Sequence, residues 1–192
     1  MNYSKAIMFN KKASDSKNKP DQVLAALSIK NGQNIADIGS GGGYFSMKFA
    51  ELVGPKGNVY AVDTNPEFLF FVKNNARENK LGNVATVLSK GESLNLPEKS
   101  IDLIYFRNVI HHIQNRENYF KNLKKFLKPS GKIAIIEYKK PGFFSFRKIF
   151  GHYLPKETIV LELEKAGYLL EKEFNFLPEQ HFTVYSDKEA KT

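Results

Sequence analysis

The stretch "IADIGSGGGYF", Ile35 to Phe45, decides how the rest of the chain is read. A short apolar run carries Asp37, then Gly39, Gly41, Gly42 and Gly43 crowd together, and an aromatic pair follows. Glycines at the end of a buried strand allow a sharp turn and let the backbone come close to another group. An acid just upstream restricts what that group can be.

Hydrophobic periods alternate on both sides of this turn. "QNIADIG" reads as a buried strand, and "YFSMKFAELV" (Tyr44–Val53) has helical spacing. "VYAVD" (Val59–Asp63) is a second strand. Asn65-Pro66 supplies an N-cap and a first helical proline for a helix running through Lys80. "NVATVLS" and "IDLIYF" (Ile101–Phe106) are strands three and four. "NRENYFKNLKKFL" is a helix stopped by Lys128-Pro129-Ser130-Gly131, and "KIAIIEY" is strand five. Strands and helices in this alternation predict right-handed crossovers and a parallel sheet. The C-terminal part breaks the pattern. "KETIVLELEKAGY" (Lys156–Tyr168) is a helix, but "LLEKEFNFL" and "HFTVYS" are strands with no helix between them, hence antiparallel. Upstream, "DQVLAALSI" follows Pro20 as an amphipathic segment with Val23, Leu24, Leu27 and Ile29 available to one face. Residues 1–19 are polar and lysine-rich, a flexible or lid-like arm with "AIMF" as its apolar cluster.

With 192 residues the chain suits one domain over 20–192. No cysteine is present, which excludes disulfide scaffolds, thiolate metal sites and cysteine nucleophiles. The four histidines are scattered, and no metal site is expected. No apolar run approaches a membrane span and no signal peptide is legible, so the expected compartment is the cytoplasm, without membrane insertion. The net charge of +9 is nearly all lysine spread along the chain. Such a surface attracts anionic partners in general without marking a particular one.

The glycine turn excludes two familiar ligands. A dinucleotide fold needs G-x-G-x-x-G, and Tyr44 stands at the third glycine position. A triphosphate loop needs Lys-Ser/Thr directly after the glycines, and no lysine follows before Lys48. What remains is D-x-G-x-G-x-G, with Asp37 placed where it would repel a pyrophosphate and suit a cationic ligand. Asp63 at the end of strand two can accept hydrogen bonds from ribose hydroxyls. After strand three, Gly91-Glu92-Ser93 can offer a carboxylate and an N–H to an adenine edge.

These residues, with "LKPSGK" before strand five, occur in an order that resembles the class I S-adenosylmethionine-dependent methyltransferases from about Pro20 to Ser186. The branch most similar contains the small-molecule and quinone-precursor enzymes, in which a turn like "FRNVIHH" follows strand four. The resemblance implies an α/β, three-layer, Rossmann-like doubly wound sheet of seven strands, mostly parallel with an antiparallel last strand. It implies S-adenosyl-L-methionine as cofactor and S-adenosyl-L-homocysteine as product. Cofactor contacts then fall on Asp37, Gly39, Ser40, Gly41, Gly43 and Tyr44, on Asp63 and Thr64, on Glu92 (where the family more often has Asp) and Ser93, and on Arg107 and Asn108. A small cap insertion around 139–155 would shape the acceptor site.

Methyl transfer from a sulfonium is a direct displacement, so few residues are obligatory and a base is needed only where the acceptor must lose a proton. His111 and His112 are the catalytic candidates. As neighbours in a turn they point different ways, and the alternative for either is a helix cap or a hydrogen bond in the wall. Arg107 pairs with an anionic substrate or with a surface acid. Glu137, Tyr138 and His152 are placed in the substrate pocket, beside Phe143, Phe144, Phe146 and Phe150. The expected function is methyl transfer to a small organic acceptor, by a monomer or homodimer. An RNA or protein substrate reached through the basic surface is the second reading, and a non-catalytic cofactor-binding module the third.

Overall fold

The computed structural model describes residues 3–90, 93–139 and 153–189. The chain forms two compact units, Met1–Pro97 and Glu98–Thr192.

The first unit carries α1 (Tyr3–Ser14), α2 (Pro20–Leu27), β1 (Asn34–Ile38), α3 (Tyr44–Val53), β2 (Asn58–Asp63), α4 (Pro66–Glu78) and β3 (Val84–Leu88). Its strands run parallel with β2 in the middle. Asp37 pairs with Ala61, and Asp63 with Leu88, so the chain leaves β1 and β2 at the same end. β1 is buried on both faces, as a strand inside a parallel sheet must be. Met47, Ala61, Val72 and Ala76 form a core cluster in which α3 and α4 meet β2, with Leu81 and Val84 against it. Asn65 caps α4 by accepting the Glu67 N–H, and Pro66 stands first in the helix, as the sequence predicts. α2 is shorter than its apolar spacing suggests. It ends at Leu27 because Ser28 turns left-handed (φ 51°), and Val23 is its buried apolar anchor. The polar arm is itself mostly helical: Tyr3–Ser14 forms α1, with Ala6 fully buried.

The second unit carries β4 (Ile101–Arg107), α5 (Arg116–Leu123), β5 (Leu127–Tyr138), α6 (Lys156–Lys165), β6 (Tyr168–Phe174) and β7 (Gln180–Asp187). β4 and β5 are parallel. β7 is antiparallel to both β5 and β6, in the order β4-β5-β7-β6. Strand five starts earlier than expected. Leu127 already pairs with Ile101, the next pairing is Lys132 with Leu103, and the residues between bulge out. Gly131 is required there, because a Cβ would lie 2.8 Å from the Ile101 carbonyl oxygen. The seven strands are those of a mixed, mostly parallel sheet with flanking helices, the fold class expected from the sequence.

Candidate functional site

The glycine turn answers its own question in part with the protein's own helices. Gly39, Gly41 and Gly43 have positive φ (74°, 53° and 80°), which only glycine adopts freely. Gly42 does not owe its place to a positive φ. A Cβ on it would collide with the Ala6 carbonyl oxygen and the Asn10 side chain of α1. One on Gly43 would lie 2.7 Å from a Val72 methyl of α4. Two of the four bare positions thus admit neighbouring helices.

Asn10 binds the turn from both sides of its amide. Its Nδ2 donates to the Gly42 carbonyl (2.9 Å), and its Oδ1 accepts from the Tyr44 N–H (3.0 Å). α3 has no side-chain N-cap of its own, so Asn10 supplies the missing acceptor from α1. Phe9 lies against Gly41 and meets Phe68 of α4 edge-on, and Tyr3 meets Phe71.

Asp63 ties the ends of β1 and β2 together. Its Oδ2 accepts from the Gly41 N–H and its Oδ1 from the Asn65 N–H, each at 2.9 Å. Each carboxylate oxygen has a second lone pair for a further donor. Three more amides of the turn are used internally: Gly39 and Ser40 donate to Val62, and Gly43 to Ser40. With the Gly41 and Tyr44 amides also bound, most N–H groups of the turn are used, which leaves few for an anion and agrees with the missing phosphate motifs. Asp37 is buried and accepts from the Ser46 hydroxyl at 2.5 Å. Ser40 Oγ is buried with no hydrogen-bond partner among the described residues. Thr64 and Ser93 are exposed, and Ser93 closes a short loop back to Lys90. Gly91 and Glu92 lie outside the described residues.

In the second unit the carboxyl ends of β4 and β5 gather a polar cluster. His111 stands in a 3₁₀ turn, Ile110–His112, and its Nδ1 is 3.0 Å from Glu137 Oε1. The ring is 5% exposed and the carboxylate 0%. Glu137 Oε1 also accepts the Tyr138 N–H at 2.9 Å. Oε2 is buried without a hydrogen-bond partner among the described residues. His112 is exposed, yet its ring centroid lies 4.1 Å from that of His111, so the two rings stack at a tilt rather than diverge. α5 begins at Arg116, and the side chain of its N-cap residue Asn115 makes no cap bond. Arg116 grips Glu162 of α6 with two 2.7 Å hydrogen bonds, which hold its guanidinium above its ordinary pKa.

Asn108 is left-handed (φ 52°) and accepts from Gln180 Nε2 at 2.7 Å, fixing the turn after β4 to the start of β7. Arg107 is half-buried and Tyr138 buried. His152 and the four cap phenylalanines lie outside the described residues. Among the described residues no three His, Asp or Glu side chains group to hold a metal ion, and no helix is long and apolar enough to cross a membrane.

Asn10, Ser46 and Gln180 were not singled out by the sequence. Their partners lie 34, 9 and 72 residues away, so no local spacing could have marked them.

A doubly wound α/β chain with a glycine turn after β1 and an acid closing β2 has the architecture of the class I methyltransferases. The family profile described as "Methyltransferase domain" matches residues 29–172, and the chain belongs to that family. Among curated relatives, the ubiquinone/menaquinone biosynthesis C-methyltransferase UbiE of Pasteurella multocida is 29% identical over 150 residues, 74% of this chain and 56% of its own length. That of Shewanella sediminis is 31% identical over 156 residues, 78% of this chain and 62% of its own length. The chain therefore spans little more than half of these relatives. Among solved structures, a SAM dependent methyltransferase from Aquifex aeolicus superposes with a TM-score of 0.82 at 24% identity, covering 93% of this chain and 96% of that one. A TehB-like SAM-dependent methyltransferase from Corynebacterium glutamicum gives 0.71 at 18%, covering 97% of each. These two are likenesses of fold.

Proposed function

We propose that this chain is an S-adenosylmethionine-dependent methyltransferase acting on a small organic acceptor. The observation that carries the reading is Asp63, which braces the Gly41 amide while each of its oxygens keeps a lone pair for a ligand hydroxyl. The residues fit the cofactor's chemistry. A turn with most of its amides already bound has little to offer a phosphate, while buried Asp37 and the Ser40 hydroxyl, which has no hydrogen-bond partner among the described residues, suit the cationic methionine end. Asp63 and Thr64 would hold the ribose, Glu92 and Ser93 the adenine, and Asp37, Gly39, Ser40, Gly41, Gly43 and Tyr44 the methionine part. Arg107 and Asn108 would complete the cofactor contacts. When bound, the cofactor supplies an electrophilic methyl group and leaves as S-adenosylhomocysteine, and the chain's own task is to align the acceptor and exclude water. The named relatives act in quinone biosynthesis, which supports a phenolic or quinol-like acceptor. A cytoplasmic monomer or homodimer is the setting proposed.

Calorimetric titration with S-adenosylmethionine and S-adenosylhomocysteine tests this. Saturable binding that weakens at least tenfold in Asp63→Ala, about 1.4 kcal/mol, is the expected result. Wild-type protein freed of co-purified ligand that binds neither compound would remove the reading.

A further inference from the structure

Gln180 opens β7 and is 3% exposed, a polar side chain withdrawn from water. β7 runs antiparallel to β5, and Gln180 pairs with Tyr138, so the start of β7 lies at the carboxyl end of β5. There Gln180 Nε2 donates to Asn108 Oδ1 at 2.7 Å. Asn108 is half-buried and left-handed (φ 52°), a conformation that a side chain disfavours, and its clamp comes from 72 residues away. Each amide has a donor end and an acceptor end. One bond joins the two, so the pair keeps one donor, Asn108 Nδ2, and one acceptor, Gln180 Oε1, neither bonded to another described residue. Turning both amides over exchanges the roles and leaves the same two ends.

The surroundings are aromatic. Phe182 lies two residues on, on the same side of the strand as Gln180, and is fully buried. Its ring centroid is 4.6 Å from that of Phe174 and 5.9 Å from that of Phe176, both half-buried. Lys139 Nζ holds the connection between β6 and β7 by donating to the Leu177 and Pro178 carbonyls at 3.2 and 3.3 Å, and Leu177 is buried. Rings and amides are thus fixed in place before any ligand arrives.

We propose that the Asn108–Gln180 pair determines acceptor specificity, reading a planar acceptor by an edge that carries one hydrogen-bond acceptor and one donor side by side. A carboxamide, or a hydroxyl beside a carbonyl oxygen, has that complement. A carboxylate offers acceptors only and an amidinium donors only, so either leaves one end of the pair unmatched. The proposal rests on the methyltransferase reading and deepens its acceptor side. The Asn108 side chain is turned to Gln180, which leaves the Asn108 backbone carbonyl for the cofactor contact proposed above.

The test uses three probes of one shape, benzamide, benzoate and benzamidinium, titrated with and without S-adenosylhomocysteine. Binding is followed by nitrogen-15 NMR of the Asn108 and Gln180 side-chain amides. Wild-type protein is expected to bind benzamide at least tenfold more tightly than either ion, although a chain of net charge +9 attracts benzoate. Gln180→Glu keeps the clamp, because Asn108 can turn its Nδ2 to the new carboxylate, but both outward ends are then acceptors. Benzamidinium should bind that variant more tightly than benzamide. A wild-type preference for either ion, or for none of the three, would overturn the proposal without any variant. So would a benzamide preference that survives in a folded Gln180→Glu. Displacement of benzamide by S-adenosylhomocysteine would put the pair at the cofactor and overturn its assignment to the acceptor. Wild-type protein that binds no S-adenosylhomocysteine removes the methyltransferase reading instead, and the benzamide preference then stands or falls alone.

Discussion

Gly42→Ala isolates what the glycine turn is for. If the glycines served backbone conformation alone, Gly41 and Gly43, with φ of 53° and 80°, would be the sensitive positions and Gly42 would tolerate alanine. Where the backbone permits alanine, the exchange usually stabilises by about 0.4–1 kcal/mol through the unfolded state. The contacts predict the reverse. The new Cβ would strike the Ala6 carbonyl, a backbone atom that cannot rotate away, together with the Asn10 side chain. α1 must lift, and both Asn10 hydrogen bonds go with it, at about 1 kcal/mol each. Exposing buried Ala6 adds about 1 kcal/mol. The expected loss is about 3 kcal/mol. Gly41→Ala should cost about 1–2 kcal/mol, from left-handed strain alone, because Phe9 at 3.3 Å is an exposed ring that can swing aside. Urea unfolding gives the two losses, and hydrogen exchange over Tyr3–Ser14 reports whether α1 has lifted. Gly42→Ala milder than Gly41→Ala, with α1 equally protected, would refute the reasoning.

Two further predictions concern the second unit. Burial raises the phenol pKa of Tyr168, whose hydroxyl donates to Phe120 O, and pushes that of Tyr185 up to about 12. Folded values above the unfolded value near 10 mean that their contribution is complete below about pH 10 and is lost as pH rises towards the folded pKa. Stability should therefore fall above pH 10 by about 1.4 kcal/mol per pH unit for each tyrosine. Urea curves from pH 9.5 to 11 should be flatter for Tyr168→Phe by one such increment, and an unchanged slope would contradict the burial argument. Arg116→Lys keeps the charge but loses the two-pronged grip on Glu162 and the bond to Ile113 O, so a loss of about 1–2 kcal/mol is expected. Combined with Glu162→Gln the loss should be less than additive, and strict additivity would show that the pair is not coupled.

The fold was legible because its signals are local. The Asn65-Pro66 cap, the helical spacing from Tyr44 and the uninterrupted strand-to-strand change at the C-terminus each lie within a few residues, and each appears as read. The departures share a different cause. β5 begins at Leu127 because that residue finds a partner at Ile101, a pairing that composition around Pro129 does not reveal. α1 forms from a polar arm because Tyr3, Ala6, Phe9 and Asn10 meet α3, α4 and the turn between β1 and α3. In isolation twelve residues with so little apolar surface would be a marginal helix. Tertiary contact, not propensity, makes it one.

The same distinction divides the site. Asp37, the glycines and Asp63 could be found because chain direction brings the ends of parallel strands to one edge, so acids at successive strand ends become neighbours. His111, in the turn after β4, and Glu137, near the end of β5, read as separate until the geometry pairs them. A histidine and a glutamate 26 residues apart carry no mark of which ring nitrogen faces which oxygen. That contact changes the meaning of both. The histidine becomes a ring held against a buried carboxylate, and the glutamate gains a partner that its sequence neighbours do not supply. Residue types at strand ends can indicate which ligand is suited. Which side chains face one another depends on contacts that the fold alone creates.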